Sequence, residues 1–320
     1  MSHELEFVNG EANMAWAESG GTPWHGLGVR VGNDLTPLQM LDAAGLNWKV
    51  EAVDLFAQHN GLSLPTKHAA LIRSHDSKVL DVITDDWHPT QNEDAFNFFN
   101  DFVAAGDMEM HTTGSLKGGN IVWALAKVNE SFELFDGKDR VEAYLHFTNP
   151  HQYGKSIDIR FTPIRVVCNN TLTLSLGMKS KSMVKVSHRR KFDADEVKEA
   201  LGIAKEKLVK YKEMAEYLSK RRYDNESIVD YFARIFPVNS SSETRKEVSK
   251  NAALALDSYL HLQPGAELGE GTWWSAFNTV TFMTDHIIGR SADSRLQSAW
   301  YGANKGLKTR ALETAVEMAG

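Results

Sequence analysis

The stretch from Tyr144 to Leu176, Y-L-H-F-T-N-P-H-Q-Y-G-K-S-I-D-I-R-F-T-P-I-R-V-V-C-N-N-T-L-T-L-S-L, constrains the fold more than any other part of the chain. Ile157, Ile159 and Phe161 alternate with Asp158, Arg160 and Thr162, which is the period of a half-buried strand. A turn built on Asn149, Pro150 and Gly154 precedes it, so the stretch is predicted to be a hairpin. At Pro163 the alternation breaks, because proline cannot donate to a ladder. The sequence before this hairpin is mixed and the sequence after it has helical periodicity. The predicted class is therefore α+β, with an antiparallel sheet and packed helices over residues 1–192 and a mostly helical region packed on that core over 193–320.

Short-range signals support this division. Thr36 followed by Pro37 marks a short helix ending at Gly45. Between Trp48 and Val82, three alternating segments are separated by turn signals at Gly61, Pro65 and His75-Asp76. Thr90 and Glu93 have the spacing of a capping box, and Phe96, Phe99 and Val103 follow on one stripe, with Phe98 and Phe102 beside it. His111–Val128 reads as two strands around Lys117–Asn120, and Asp136-Gly137-Lys138 makes the next turn. Short turns between strands call for antiparallel pairing, because parallel neighbours need long crossovers.

After Asp193, Val197, Leu201, Ala204, Leu208, Tyr211, Ala215 and Leu218 recur at spacings of four and three, a heptad seam. Such a seam serves either a neighbouring subunit, giving a homo-oligomer, or the helices that follow it. Those helices are predicted at Ser227–Phe236, Ser242–Leu262 with a cap in Ser240–Ser242, Thr272–Ile288 and Gly306–Met318.

The chain of 320 residues is 42% hydrophobic, enough for a full core. Its start lacks the basic-then-apolar pattern of a secretory signal and no apolar run has the length of a membrane span, so a cytoplasmic protein without membrane partners is expected. The single cysteine, Cys168, excludes an internal disulfide framework and a Cys-rich zinc site. The net charge of −7 is unevenly spread: residues 1–110 hold 17 Asp/Glu against 5 Lys/Arg, whereas Gly177–Lys191 holds six Lys/Arg and no acid. A polyanion can bind such a run although the whole chain is acidic.

Three catalytic constellations have partial matches in the sequence. Asn149–Ser156 ends in Gly-Lys-Ser like a phosphate loop, but a strand follows it where such a loop must open a helix. The twelve histidines form no H-x-x-x-H pair, and His146 and His151 flank a turn without clustered carboxylates, so no metal site and no cofactor is expected. Cys168 has Arg165 nearby to lower its pKa, yet an apolar strand end is where cysteine acts as a small hydrophobe. Binding is what remains. Tyr153, Lys155, Arg160 and Arg165, followed by Lys179, Lys181, Lys185, His188, Arg189, Arg190 and Lys191, supply the cations and the π-face that a nucleic-acid strand requires. A solvated loop carries the same composition.

The run R-V-V-C-N-N-T-L (Arg165–Leu172) resembles the signature of the phage/plasmid-like protein family of unknown function, domain of unknown function 932. Further blocks resemble the family in the same order: T-P-W-H-G-L-G with Trp24 and His25, W-H-P-T-Q-N-E-D-A-F, Thr148-Asn149-Pro150-His151, V-S-H-R-R-K, N-T-V-T-F-M-T-D-H and A-W-Y-G-A-N-K-G-L-K-T-R-A-L. The family usually has Asp-Gly-Ser after the turn histidine; Gln152–Ser156 departs from it. The resemblance marks Arg165, Cys168, Asn169 and Asn170 as a unit and implies a mobile-element setting in a host cytoplasm.

The expected function is single-stranded-DNA binding, in the manner of ATP-independent annealing recombinases, a comparison made by fold-level analogy. The alternatives are a nucleic-acid-processing enzyme using His25, His151 or Cys168, and a structural or host-interaction protein with no nucleic-acid contact.

Overall fold

In the computed structural model, residues 5–20, 27–165, 170–171, 184–190, 192–238, 248–290, 295, 298–299 and 302–320 are described. The hairpin at the centre of the sequence is present, as β10 (Asp139–Pro150) and β11 (Ser156–Arg165). Its turn is closed by Lys155 N–H donating to the Gln152 carbonyl at 3.2 Å, with Gly154 at φ +74°. Asn149 and Pro150 belong to the strand instead of the turn, because the ladder is prolonged as far as His151, whose N–H donates to the Asn120 carbonyl. β11 likewise continues through Pro163, beyond the predicted break.

The structure is α+β and comprises two compact units, each discontinuous in sequence. Unit 1 takes Met1–Asn129, Tyr144–Phe161 and Met183–Ala204; unit 2 takes Glu130–Ala143, Thr162–Ser182 and Lys205–Gly320. The expected boundary at 192/193 falls inside the last segment of unit 1.

Unit 1 begins with a small ribbon, β1 (Phe7–Val8) with β2 (Glu11–Ala12), then β3 (Met14–Ala17) and β4 (Val29–Val31). Its strands belong to an eight-stranded sheet of order β12 (Asn170–Thr171), β11, β10, β9 (Ile121–Leu134), β8 (Met108–Leu116), β3, β4, in which β13 (Val184–Ser187) also pairs with β11. β3 is buried along its whole length and pairs antiparallel with β8 but parallel with β4, an exception to the expected antiparallel pattern. A separate sheet contains β5 (Val50–His59), β6 (Leu62–Arg73) and β7 (Val79–Thr84) in that order. Its first turn is at Asn60-Gly61, both with positive φ, while Pro65 lies inside β6 and makes no turn. Helix α1 (Pro37–Ala43) has the predicted start: Thr36 Oγ1 accepts from Gln39 N–H and the Gln39 side chain accepts from Thr36 N–H.

The capping box expected at Thr90 does not form. Helix α2 (Asn92–Asn97) starts after Gln91, whose side-chain amide instead bonds both the N–H and the carbonyl of Val50, each at 2.9 Å. The phenylalanine stripe is also divided, into α2 and α3 (Asn100–Ala104). Its rings still form a core, as their spacing predicts: Phe98 and Phe99 pack on Phe147 of β10 at 5.6 and 5.7 Å between centroids, and Phe192 closes on Phe98 at 6.2 Å. Truncating a fully buried phenylalanine such as Phe99 to alanine costs about 3–5 kcal/mol.

Unit 2 is mostly helical. Helix α4 (Ala194–Lys220) contributes Tyr211, Ala215 and Leu218, all buried, so this part of the seam serves intramolecular packing. The side chains of Leu201, Ala204 and Leu208 lie outside the described set. Then come α5 (Asn225–Ile235), capped by Asp224 with Ser227; α6 (Lys250–Leu254), capped by Ser249; and α7 (Leu260–Leu262), preceded by a π-helical turn at Ala255–Tyr259. The cap expected at Ser240–Ser242 is outside the described residues. Helix α8 (Trp273–Phe282), capped by Thr272, runs into a second π-helical turn at Met283–Ile287, and α9 (Ala303–Ala319) follows. Two buried polar contacts fix this core: Trp274 Nε1–H donates to Asp139 at 2.9 Å, and Lys308 Nζ lies 2.8 Å from Asp285. Asn304 donates to the carbonyls of Thr284 and Ile288, which secures the exit of the second π-turn. Among the described residues, no helix is long and apolar enough to cross a membrane.

Candidate nucleic-acid interface

Three blocks that are far apart in sequence meet inside unit 1: Trp87–Asn92, Thr148–His151 and Val186–Arg190. Backbone bonds bring them together. His88 N–H donates to the His188 carbonyl at 2.7 Å, and His188 Nδ1 lies 3.2 Å from the His88 carbonyl. The His188 ring stacks on Trp87, with centroids 4.3 Å apart and planes 30° apart. Asn149 Nδ2 donates to the Thr90 carbonyl at 2.9 Å, and His151 Nε2 is 2.9 Å from Asn92 Oδ1.

These contacts assign the tautomers. A carbonyl oxygen only accepts, so Nδ1 of His188 carries its proton; the Asn92 amide donates to the Leu46 carbonyl, so its oxygen receives Nε2–H of His151. Among the described residues, His151 Nδ1 has no hydrogen-bond donor, while the His188 ring has a second backbone carbonyl beside it, that of Pro150. Burial disfavours the imidazolium in both, lowering His151 to about 3 and His188 to about 4, in the latter against the opposing pull of its backbone hydrogen bonds. Both rings are neutral near pH 7.

A second buried network abuts this one. Trp48 packs on His151 at 5.2 Å, and the Arg73 guanidinium lies 5.3 Å over the Trp48 ring. Arg73 makes a bidentate contact with Asp76 and a buried ion pair with Glu6, which also accepts from Ser115 Oγ. The bond to Arg73 holds the Asp76 carboxyl well below its usual range. The nearby depression lined by Leu38, Leu41, Trp48 and Gln91 measures about 200 Å³, smaller than the pockets that enclose small-molecule ligands. Among the described residues, no group of three His, Cys, Asp or Glu has the arrangement of a metal site.

The outward consequence of the buried tie is an edge of exposed residues. β13 (Val184–Ser187) pairs antiparallel with β11, setting Ser187 opposite Ser156 and Lys185 opposite Asp158. The turn carrying Tyr153 and Lys155 therefore lies beside the segment carrying Arg189 and Arg190. Tyr153 is 40% exposed, and Lys155, Lys185, Arg189 and Arg190 all face solvent. Arg189 is 3.2 Å from Asp86, and Arg190 makes a bidentate pair with Glu196 at 2.7 and 3.0 Å. Lys155 and Lys185 form no ion pair among the described residues.

Two residues expected on this surface are not there. Arg160 is only 8% exposed because it points inward from β11, its Nε–H donating to His146 Nδ1 at 3.2 Å; His188 is buried by its stack on Trp87. Arg165 pairs with Asn170 across the β11–β12 ladder, where β12 is Asn170–Thr171, so these two motif residues are opposite each other in backbone register. Trp24, His25, Cys168, Asn169, Lys179, Lys181 and Lys191 lie outside the described residues. Sequence reasoning missed the tie through Trp87, Asn92, His151 and His188. Its only local signal was that polar, hydrogen-bonding residues recur in three blocks whose neighbours are apolar.

The family model for a domain of unknown function, DUF932, matches residues 79–300, and the chain belongs to that family. Comparisons with curated proteins and with solved structures found no match.

Proposed function

We propose that this chain binds single-stranded DNA along the β13 edge of unit 1, as a phage- or plasmid-associated protein that anneals or protects strands without ATP. The observation that carries this reading is the register of β11 with β13, which groups Tyr153, Lys155, Lys185, Arg189 and Arg190 on one exposed edge. Cations spaced along a strand edge track phosphates, and the exposed phenol offers a face for a base. The buried histidines keep that edge in shape; being neutral and enclosed, they do not themselves meet a phosphate.

Filter binding of a labelled oligonucleotide across a salt series tests this. Affinity is expected to fall steeply with salt, each lost phosphate contact reducing the logarithmic slope by about 0.7 for a single strand. Lys155→Glu with Lys185→Glu should lower both affinity and slope, and Tyr153→Ala should lower affinity with the slope kept. Binding that is absent, or indifferent to salt, removes the proposal. An unchanged affinity in the Lys155→Glu, Lys185→Glu chain relocates binding away from this edge.

A further inference from the structure

β5 and β6 reach out as an arm. β7 pairs with β6 only between His68 and Ile72, so among the described residues Phe56–His59 and Leu62–Pro65 have each other and no third strand. From Glu51 to His68 every residue is exposed except Leu55, which is half-buried. Phe56 and Leu62 are 54% and 62% exposed, with Val53 and Leu64 close behind. A two-stranded ribbon is marginal alone in water, and a long apolar edge strand is a template for a further strand. Between Glu51 and Thr66 the arm has two acids and no Lys or Arg. A nucleic acid is thus the wrong partner for it.

We infer that the occupant is a second copy of this chain, with β5 pairing antiparallel to β5 of the partner subunit about a twofold axis at Leu55. The backbone supports that centre. The β5–β6 register shifts between Asp54 and Phe56, and there Thr66 Oγ1 donates to the Leu55 carbonyl at 2.7 Å; with Ser74 N–H donating to the Lys49 carbonyl, alternation along β5 turns Leu55 toward β6 and Asp54 and Phe56 to the open edge. Asp54 then pairs with Phe56 of the partner subunit. On the alternate positions, Val53 faces Ala57 of the partner subunit and Glu51 faces His59 of the partner subunit. No like charges meet, whereas an axis at Asp54 would set the two Asp54 side chains opposite each other. The interface is isologous, as a closed dimer requires, and it joins two ribbons into one four-stranded sheet.

Light scattering on the full chain over a concentration series, with and without oligonucleotide, tests the assignment. A mass of two chains is expected, reduced to one chain by Val53→Lys with Ala57→Lys. Both side chains are exposed, and a cooperative melting transition that no longer depends on protein concentration shows that the variant is folded. Glu51→Lys should weaken the dimer, and adding His59→Glu should restore it. In the dimer, the amides of Asp54 and Phe56 should exchange slowly; in the Val53→Lys, Ala57→Lys chain they should exchange fast. A monomer at all concentrations, a dimer untouched by Val53→Lys with Ala57→Lys, or an arm protected only when oligonucleotide is added, each overturns the inference.

Discussion

His151 and Asn92 stand 59 residues apart in sequence and 2.9 Å apart in the fold, and Asn92 turns its amide N–H to the Leu46 carbonyl as it accepts from the ring. The bond links the start of α2 to the end of β10. Because the ring that makes it is neutral and fully enclosed, acidity is its natural antagonist.

Stability should therefore depend on pH in a defined window. Both His151 and His188 have folded pKa values below the ordinary 6.5, at about 3 and about 4. An unfolded chain takes up protons at these residues below about pH 6.5 while the fold does not, so their contribution is complete above that value. It declines as pH falls, by up to about 1.4 kcal/mol per pH unit for each ring. Carboxylates titrate mostly below about 4.3, so the range from 5 to 6.5 isolates the histidines. Urea midpoints should fall across that range in the native chain, and less steeply in His151→Gln.

The Arg73–Glu6 pair gives a second expectation. Both side chains are almost fully buried, 3% and 5% exposed, and removing one partner strands the other charge. Arg73→Met is expected to cost about 3–5 kcal/mol, measured by chemical denaturation. A loss below about 1 kcal/mol would show that the Glu6 carboxylate is not left stranded when Arg73 is removed.

Lys308 and Asp285 form the equivalent pair in unit 2, with side chains 1% and 8% exposed. Lys308→Met and Asp285→Asn should each be strongly destabilising, by about 3–5 kcal/mol. The double variant should recover part of that loss, since neither charge is then left alone. A double-mutant cycle with no coupling would contradict a direct pairing.

Arg190 and Glu196 are half exposed, and their pair is expected to matter little to the fold: Glu196→Gln should shift stability by less than about 1 kcal/mol. The same change releases the guanidinium. If the β13 edge takes phosphates, oligonucleotide affinity at low salt should rise in Glu196→Gln and fall in Arg190→Gln.

Where the fold was legible, a local chemical reason was sufficient. Thr36 and Gln39 cap α1 within four residues, and the turns at Asn60-Gly61 and Lys117–Gly119 adopt the positive φ that their residues favour. Where it was not, a distant partner had prior claim on a local signal. Thr90 and Glu93 have the spacing of a cap, but Thr90 gives its carbonyl to Asn149, and neighbouring Gln91 turns to Val50. Arg160 alternates like an exposed residue, yet His146 on the adjacent strand draws it inward. The exposed half of the candidate site was visible as clustered charge. Its buried half was not, because nothing in a single block says which other block will supply its partner.

The same long reach has a bearing on how the chain acquires its structure. β3 sits between β8 and β4, and the hydrogen bond from Ser115 to Glu6 spans 109 residues. A ribosome must therefore deliver more than a third of the chain before the first buried strand meets its antiparallel neighbour, and closing so large a loop is slow. During that interval Met14–Ala17 has β4 as a neighbour on one edge, and the edge that β8 will take stays open. An apolar edge left open for that long makes the yield of native protein sensitive to chaperone supply.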